Sequence, residues 1–486
     1  MYKVRASVTI FMLMTILMVA ALAFTLIEGT RYVAINNISQ GYSDIAVESA
    51  FSYYVRPLWN LYGILGIDAG YGSSAMDLVR LEDDIAEIVE ENSMEIKNDG
   101  YINLLSPGNM NVNTTSYSLL TDNDGAAFIK EASETVLYSD LSKLQSIDGM
   151  EDLLKDVDVD KILESGTNAL TETEAASTEM QEDTGSLTEV QAIEVEENPI
   201  DTVSEWKSKG ILAQVINVDT DLSNKTYDTS GSLLVRNVKT GTGTQAEASL
   251  VEKALFRKYL IENLQSYPKS LGHDALDYEL EYVISGKSSD AQNLEAAVEK
   301  LVAVRVVENY IAILQDSAKV QLAEGIAAGL SSVALSPELT EIVEYAVIAA
   351  WAYVESILDV RLLLAGGKVP MIKNSSEWTS DPTQLAAYLN VNVKAKDCNS
   401  GLTYQEYLYQ LLLLTSDRTA AYRAMDVIEN QIRKTTNYEN FCIDNVIYEG
   451  SWECSYEVKP LFLNFTPVRS QAKSLKLLKK SDMSYI

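Results

Sequence analysis

Residues Ser7 to Ile27 read SVTIFMLMTILMVAALAFTLI, an unbroken run without a charged side chain. As a helix rising 1.5 Å per residue, the run reaches ~31 Å, enough to cross a hydrocarbon core of ~30 Å. Lys3 and Arg5 precede it, and Glu28 and Arg31 close it. Positive charge on the N-terminal side predicts a cytoplasmic N-terminus, a single crossing, and everything after Arg31 beyond the cell membrane. The competing reading is a cleaved signal peptide, because Ala21-Leu22-Ala23 forms an A-x-A site. Against cleavage, Phe24 to Ile27 prolong the apolar run past that site. Both readings export the bulk of the chain.

A second crossing is not expected. Leu339 to Leu364 is apolar, but Glu341, Glu344, Glu355, Asp359 and Arg361 interrupt it, which suits a buried helix of a water-soluble domain. From Glu28 to Tyr62, Ile35, Ile38, Tyr42, Ile45, Ser49 and Tyr53 recur at spacings of three and four, predicting that the membrane helix continues as a rod with one stripe. Pro57 starts a following short helix or kinks this one.

The remaining organisation is read from composition and punctuation. Met76–Met94 is an acidic amphipathic helix, and Tyr101–Thr121 reads as loop with short strands. Residues 151–200 hold 15 acidic and 2 basic side chains, so 151–199 is expected to be an acidic linker. Helices are predicted over 247–266, 274–285, 290–315, 317–330, 338–365, 382–389, 403–415 and 416–436. Pro337 starts one of them and Gly366-Gly367 stops it. Gly450-Ser451 between two partly alternating runs predicts a β-hairpin over 441–466, followed by a basic tail, 467–486. The expected architecture is mainly α: 1–6 cytoplasmic, 7–27 transmembrane, 28–150 membrane-proximal and helical, 200–440 a helical ectodomain core, with a small β component and the C-terminal hairpin.

The 486 residues carry 38 Lys and Arg against 70 Asp and Glu, a net charge of −32. A polyanion of this size repels phosphate backbones, so nucleic acid is not an expected partner. With one histidine, His273, and three cysteines, Cys398, Cys442 and Cys454, a Cys/His zinc site is nearly excluded. No nucleophile-elbow motif supports a triad through His273, which suits a solvated turn or a role at a helix N-terminus. A hairpin turning at Gly450-Ser451 leaves Cys442 and Cys454 out of register, so the thiols are expected unpaired. Asp156, Asp158 and Asp160, like Asp219 and Asp221, alternate without matching a calcium loop. Glu355 and Asp359 stand one helical turn apart. They are either a paired-carboxylate hydrolase site or, as favoured here, a buried network with Arg361 or Arg305. No catalytic, cofactor-binding or metal-ligating residue is assigned, and no cofactor is expected.

The opening RASVTIFMLMTILMVAALAFTLIEGTRY resembles the membrane segment of TadE-like minor pseudopilins of tight-adherence (Tad) pili, whose Glu-x-x-Arg-like element Glu28 and Arg31 match. More widely, the chain is similar to a family of Gram-positive anaerobes linked with Tad pilus genes. The similarity is carried by Tyr53–Asp68 (YYVRPLWNLYGILGID), Leu276–Lys287 (LDYELEYVISGK), Val354–Lys373 (VESILDVRLLLAGGKVPMIK) and Gly401–Leu414 (GLTYQEYLYQLLLL). This implies a membrane-anchored component of a surface appendage, with no reaction. The glutamate that pilin precursors carry five residues after processing has no counterpart here: Phe11 stands there, counting from Ala6.

These expectations give three hypotheses. The first is a structural part of a pilus or secretion assembly. Its membrane-interface residues are Lys3, Arg5, Glu28 and Arg31, and its Ile35, Ile38, Tyr42 and Ile45 pack against other subunits or a second copy. The second is an anchored sensor or wall-polymer binder with a pocket lined by Trp351, Tyr353 or Trp378. The third is a hydrolase using Glu355 or Asp359.

Overall fold

The computed structural model describes residues 3–93, 104–106, 108–139, 192–193, 195, 197–217, 219–244, 247–331, 337–463 and 474–485. Most of the expected linker 151–199 therefore lies outside the described residues. The chain is mainly helical, with a long apolar N-terminal helix and one small antiparallel sheet. It forms two compact units, each discontinuous in sequence. Unit 1 is Met1–Glu131, Asn237–Ala248 and Thr435–Ile486; unit 2 is Ala132–Arg236 and Ser249–Lys434.

Unit 1 is built on α1, Lys3–Phe51, a single helix ~74 Å long by its rise. The chain turns out of helix at Ser52–Tyr53, and Val55 is extended. Helix α2, Arg56–Tyr62, then starts with Pro57 in its first turn, where a missing N–H costs nothing, and ends on left-handed Gly63. Strand β1 (Ile67–Asp68), helix α3 (Leu78–Ser93), strand β2 (Asn109–Leu119) and helix α4 (Asp122–Ser139), whose residues from Ala132 on belong to unit 2, follow. The C-terminal strands are β3 (Val446–Val458) and β4 (Leu475–Ser484). β3 is central. It pairs with β2 on one side and with β1 and β4 on the other, all antiparallel.

Two expectations about strands are corrected. β2 is one strand of eleven residues rather than loop with short strands, because pairing with β3 and burial of Val112 and Leu119 override its Asn- and Ser-rich sequence. A C-terminal strand pair exists, but Gly450-Ser451 is not its turn. Both residues lie inside β3, opposite Met483 and Asp482 of β4, and the expected basic tail supplies the second strand. Gly450 serves packing: a Cβ there would stand 2.3 Å from the Trp452 ring. Cys442 and Cys454 are buried and form no disulfide, as expected, for a different reason. Eight residues of β3 separate Val446 from Cys454, ~26 Å of extended chain, so the two thiols cannot meet.

The core of unit 1 joins Ala46, Val47, Ala50 and Phe51 of α1 to Leu81, Ile85 and Val89 of α3 and to Trp452, Cys454 and Tyr456 of β3. Small residues on α1 let it lie close on the sheet, and the Ser43 hydroxyl is 2.7 Å from that of Tyr456.

Unit 2 contains α5 (Pro199–Lys207), α6 (Ile211–Val215), α7 (Leu250–Asn263), α8 (Glu279–Ser285), α9 (Asp290–Leu314), α10 (Ser317–Ser331), α11 (Pro337–Leu364), a 3₁₀ segment (Pro382–Leu389), α12 (Tyr404–Leu413) and α13 (Asp417–Ile432). Its ends follow local rules. Ser249 with Glu252, and Thr403 with Glu406, form capping boxes, and Gly366 closes α11 in the left-handed region. From Ala346 to Leu364, α11 is buried on every side, as a central core helix must be.

Candidate functional site

Three places concentrate chemistry. The first is where the bare half of α1 meets the folded part of unit 1. None of the most apolar stretch of α1 is buried, and the helix is long and apolar enough to cross a membrane. Burial begins at Glu28. Its Oε1 is 2.7 Å from Arg31 Nη1, and its Oε2 accepts the backbone N–H groups of Leu461 (3.0 Å) and Phe462 (2.6 Å). Arg31 donates onward to the carbonyls of Leu104 (2.6 Å) and Lys459 (3.1 Å). Phe462 stacks on Phe24, with centroids 6.4 Å apart and planes 16° from parallel. One ion pair thus staples two distant segments to the helix. The side chains of Lys3 and Arg5 lie outside the described residues.

The stripe expected to meet other subunits is committed elsewhere. Ile35 is fully buried, and Tyr42 packs against the core of unit 1. Ile38 is half-buried, while Ile45 is 49% exposed. The buried line runs instead through Ile35, Ser39, Ser43, Ala46, Val47 and Ala50. Counting bulky residues missed it, since a helix against a sheet favours small side chains at closest approach.

The second place is a cleft of about 690 Å³ in unit 1. Tyr53, Tyr71 and Tyr438 line it, with Asp68, Asp84, Glu87 and Glu91 around the single cation Arg80. Tyr71 donates to Asp84 at 2.6 Å, and the Arg80 guanidinium lies 3.9 Å from the Tyr71 ring centre. Burial raises the Tyr71 phenol, and Asp84 raises it further. Burial also raises Asp68, against the N–H groups of Gly72 and Gly70 that favour its charge. Tyr71 and Asn437 both hold left-handed backbone. Gly72 approaches the Asn437 carbonyl so closely that a Cβ would stand 2.5 Å from it. Tyrosine faces beside an excess of carboxylates suit a ligand carrying positive charge. The sequence reading missed this cleft, because its walls come from residues 50–91 and 437–438.

The third place is the ion network of unit 2. Glu355 and Asp359 are fully buried, and Lys373 Nζ bridges them. Arg305 Nη2 reaches Asp359 at 2.7 Å, and Asn309 donates to it at 2.9 Å. Glu355 accepts from the Ser380 N–H (2.7 Å) and hydroxyl (2.6 Å). Burial pushes Asp359 up, but Arg305 and Lys373 outweigh it and hold the carboxyl below its ordinary range. The expected Arg305 partner is present. Arg361 instead donates to backbone carbonyls of Gln214, Tyr388, Asn390 and Val393, and Lys373 was unforeseen. Both carboxylates lack the open cleft a glycosidase pair needs.

Other expectations are corrected here. Trp351, Tyr353 and Trp378 are buried rather than lining a pocket, and Trp351 donates to the Ser380 hydroxyl at 3.0 Å. His273 is buried, with Nδ1 2.8 Å from Glu279, not in a solvated turn. Helix α8 starts at Glu279 rather than 274 because Asp290 takes the N–H groups of Asp277 and Tyr278, which would otherwise close the first helical turn. Asp219 and Asp221 are exposed, and Asp156, Asp158 and Asp160 lie outside the described residues.

Unit 2 also buries carboxyls that keep their protons late. Burial raises Glu281 to about 8, Glu308 to about 7 and Asp426 to about 6. Each folded group binds its proton at pH values where the unfolded chain has lost it, so stability falls as pH rises from ~4 through ~8. Asp359 acts in the opposite sense only below ~4, where its unfolded form is protonated. The thermal midpoint of unit 2 should therefore be higher at pH 5 than at pH 8. Calorimetry showing a rise instead would contradict these assignments.

Residues 189–458 match a family of unknown function (DUF5702). No curated protein and no solved structure matches the chain. That match spans more than half of the sequence, and the chain belongs to the DUF5702 family.

Proposed function

We propose that this chain is a single-pass membrane protein with its N-terminus in the cytoplasm and both units outside. It serves as a pseudopilin-like structural or accessory part of a Tad-type pilus or secretion assembly, and acts through helix packing rather than a reaction. The observation that carries the reading is the division of α1. One uninterrupted helix is apolar with no buried residue from Val8 to Ile27 and then becomes the spine of a folded core. A rigid helix shared between bilayer and core couples the position of the folded unit to whatever the bare half packs against. The helix also runs unbroken through Ala21–Ala23, and burial begins only at Glu28. The Tad element of the proposal rests on the sequence resemblance of the opening segment and of the four segments quoted above. Since Ile35 and Tyr42 are used internally, partner subunits would meet the bare half.

Cysteine crosslinking of the full chain in membranes tests this. Single cysteines scanned from Phe11 to Leu17 should give oligomer bands at one helical face, while Ile38→Cys should remain monomeric. Monomers at every position would remove helix packing as the mechanism, and release of the chain by alkaline carbonate would remove the anchor. The cleft favours a second reading, an anchored binder of a cationic ligand. It predicts thermal stabilisation by a lysine-rich peptide, lost in Asp84→Asn.

A further inference from the structure

We propose that unit 1 makes a second lipid contact besides the span: the loop 459–463, with Leu104 and Leu105, dips into the outer leaflet beside the point where α1 leaves the hydrocarbon. This rests on the anchor reading above and adds to it which folded residues enter the bilayer.

The argument is one of level along α1. Phe24 lies inside the apolar run that ends at Ile27. Phe462 stacks on Phe24, and its backbone N–H is held by Glu28 one turn higher. If Ser7–Ile27 lies in lipid, Phe462 is already at hydrocarbon depth, without any rearrangement. The second segment meets α1 about one turn past Glu28, where Arg31 fixes the Leu104 carbonyl. Leu104 is 45% exposed and Leu105 38%. Glu28 is neutralised by Arg31 and two N–H donors, the condition for a carboxylate near hydrocarbon.

Charge fits the same placement. Lys459 and Lys476 are exposed at this end of the sheet, where Glu457 pairs with Lys476 and Val458 with Leu475. An apolar tip rimmed by lysines matches the boundary between acyl chains and anionic headgroups.

The test uses the full chain in phosphatidylcholine–phosphatidylglycerol vesicles. Single cysteines carry the environment-sensitive dye nitrobenzoxadiazole, and the lipids carry spin labels either near the headgroup or deep in the acyl chain. The native cysteines are buried and stay in place, with unsubstituted chain as the labelling blank. Phe462→Cys and Leu104→Cys should lose roughly half of their emission to the shallow quencher and less to the deep one, as expected for insertion of ~5–10 Å. Leu17→Cys should respond most to the deep label. Tyr53→Cys, 77% exposed, should respond to neither. Quenching at 17 but not at 462 or 104 overturns this inference and leaves the anchor standing. Absence of quenching at 17 removes the anchor, and this contact with it. Leu104, being exposed, keeps the test decisive if the Phe462 variant misfolds.

Discussion

Replacing Lys373 by methionine should cost unit 2 about 3–5 kcal/mol, the range for removing one partner from a buried ion pair. The loss comes from the charges left behind. Lys373 Nζ is the cation that serves Glu355 and Asp359 together. Without it, Asp359 keeps Arg305 and Asn309, but Glu355 retains only the N–H groups of Thr379 and Ser380 and the Ser380 hydroxyl. A carboxylate with no cation in a site closed to water must take up a proton or open the fold. Adding Glu355→Gln to the methionine variant should recover much of the loss, because the uncompensated charge disappears. Urea unfolding of the full chain in detergent, read by tryptophan fluorescence, measures both variants. Trp378 is a local reporter, since Lys373 Nζ lies 5.8 Å from its ring centre. A loss below ~1 kcal/mol for the single variant would mean that Glu355 is not a buried anion.

The second large effect is expected in unit 1. Trp452→Ala should cost ~3–5 kcal/mol, the range for truncating a fully buried large aromatic residue. Trp452 stands at the centre of β3 and meets Phe51, the last residue of α1, edge to face, with centroids 5.4 Å apart. Its ring also fills the space that Gly450 leaves open. The cavity should loosen the end of α1 first, so amide exchange at Ala46–Phe51 should rise before that of residues 28–35. Unchanged exchange at Ala46–Phe51 would show that α1 is held by its other contacts, such as the Ser43–Tyr456 bond. Trp452→Phe, which keeps an edge for Phe51, should lose less.

Both predictions use residues whose partners lie far away in the chain, and this marks the limit of the sequence reading. From α7 onward the helices of unit 2 were placed within a few residues, because caps, Pro337 and Gly366 act over one turn. Even there, Asp290 moved the start of α8 from outside that helix. The acidic character of α11 was also readable: charges at 355, 359 and 361 in an apolar helix implied buried pairing, and Arg305 was among the candidates. Lys373 was not, since it lies past the end of α11 in a segment with no periodic pattern. In unit 1 the stripe on α1 was misdrawn, because Ile45 and Tyr53 outweigh Ser39, Ser43 and Ala46 in bulk, while a helix lying on a sheet selects small residues. The turn at Gly450-Ser451 failed for a related reason. Glycine marks either a bend or a close approach, and only the indole of Trp452 decides between them.

Composition and local pattern were enough to establish a mostly helical, strongly acidic chain with one bare apolar helix at its start, because hydropathy, helix caps and net charge are properties of neighbouring residues. Tertiary structure decided the rest: that residues 1–131, 237–248 and 435–486 form one unit, that the second half of α1 is its spine, and that Lys373 neutralises two acids of α11. Pairing of strands and of charges depends on which distant surfaces are brought together, and that is set by packing of the whole core rather than by any short stretch of sequence.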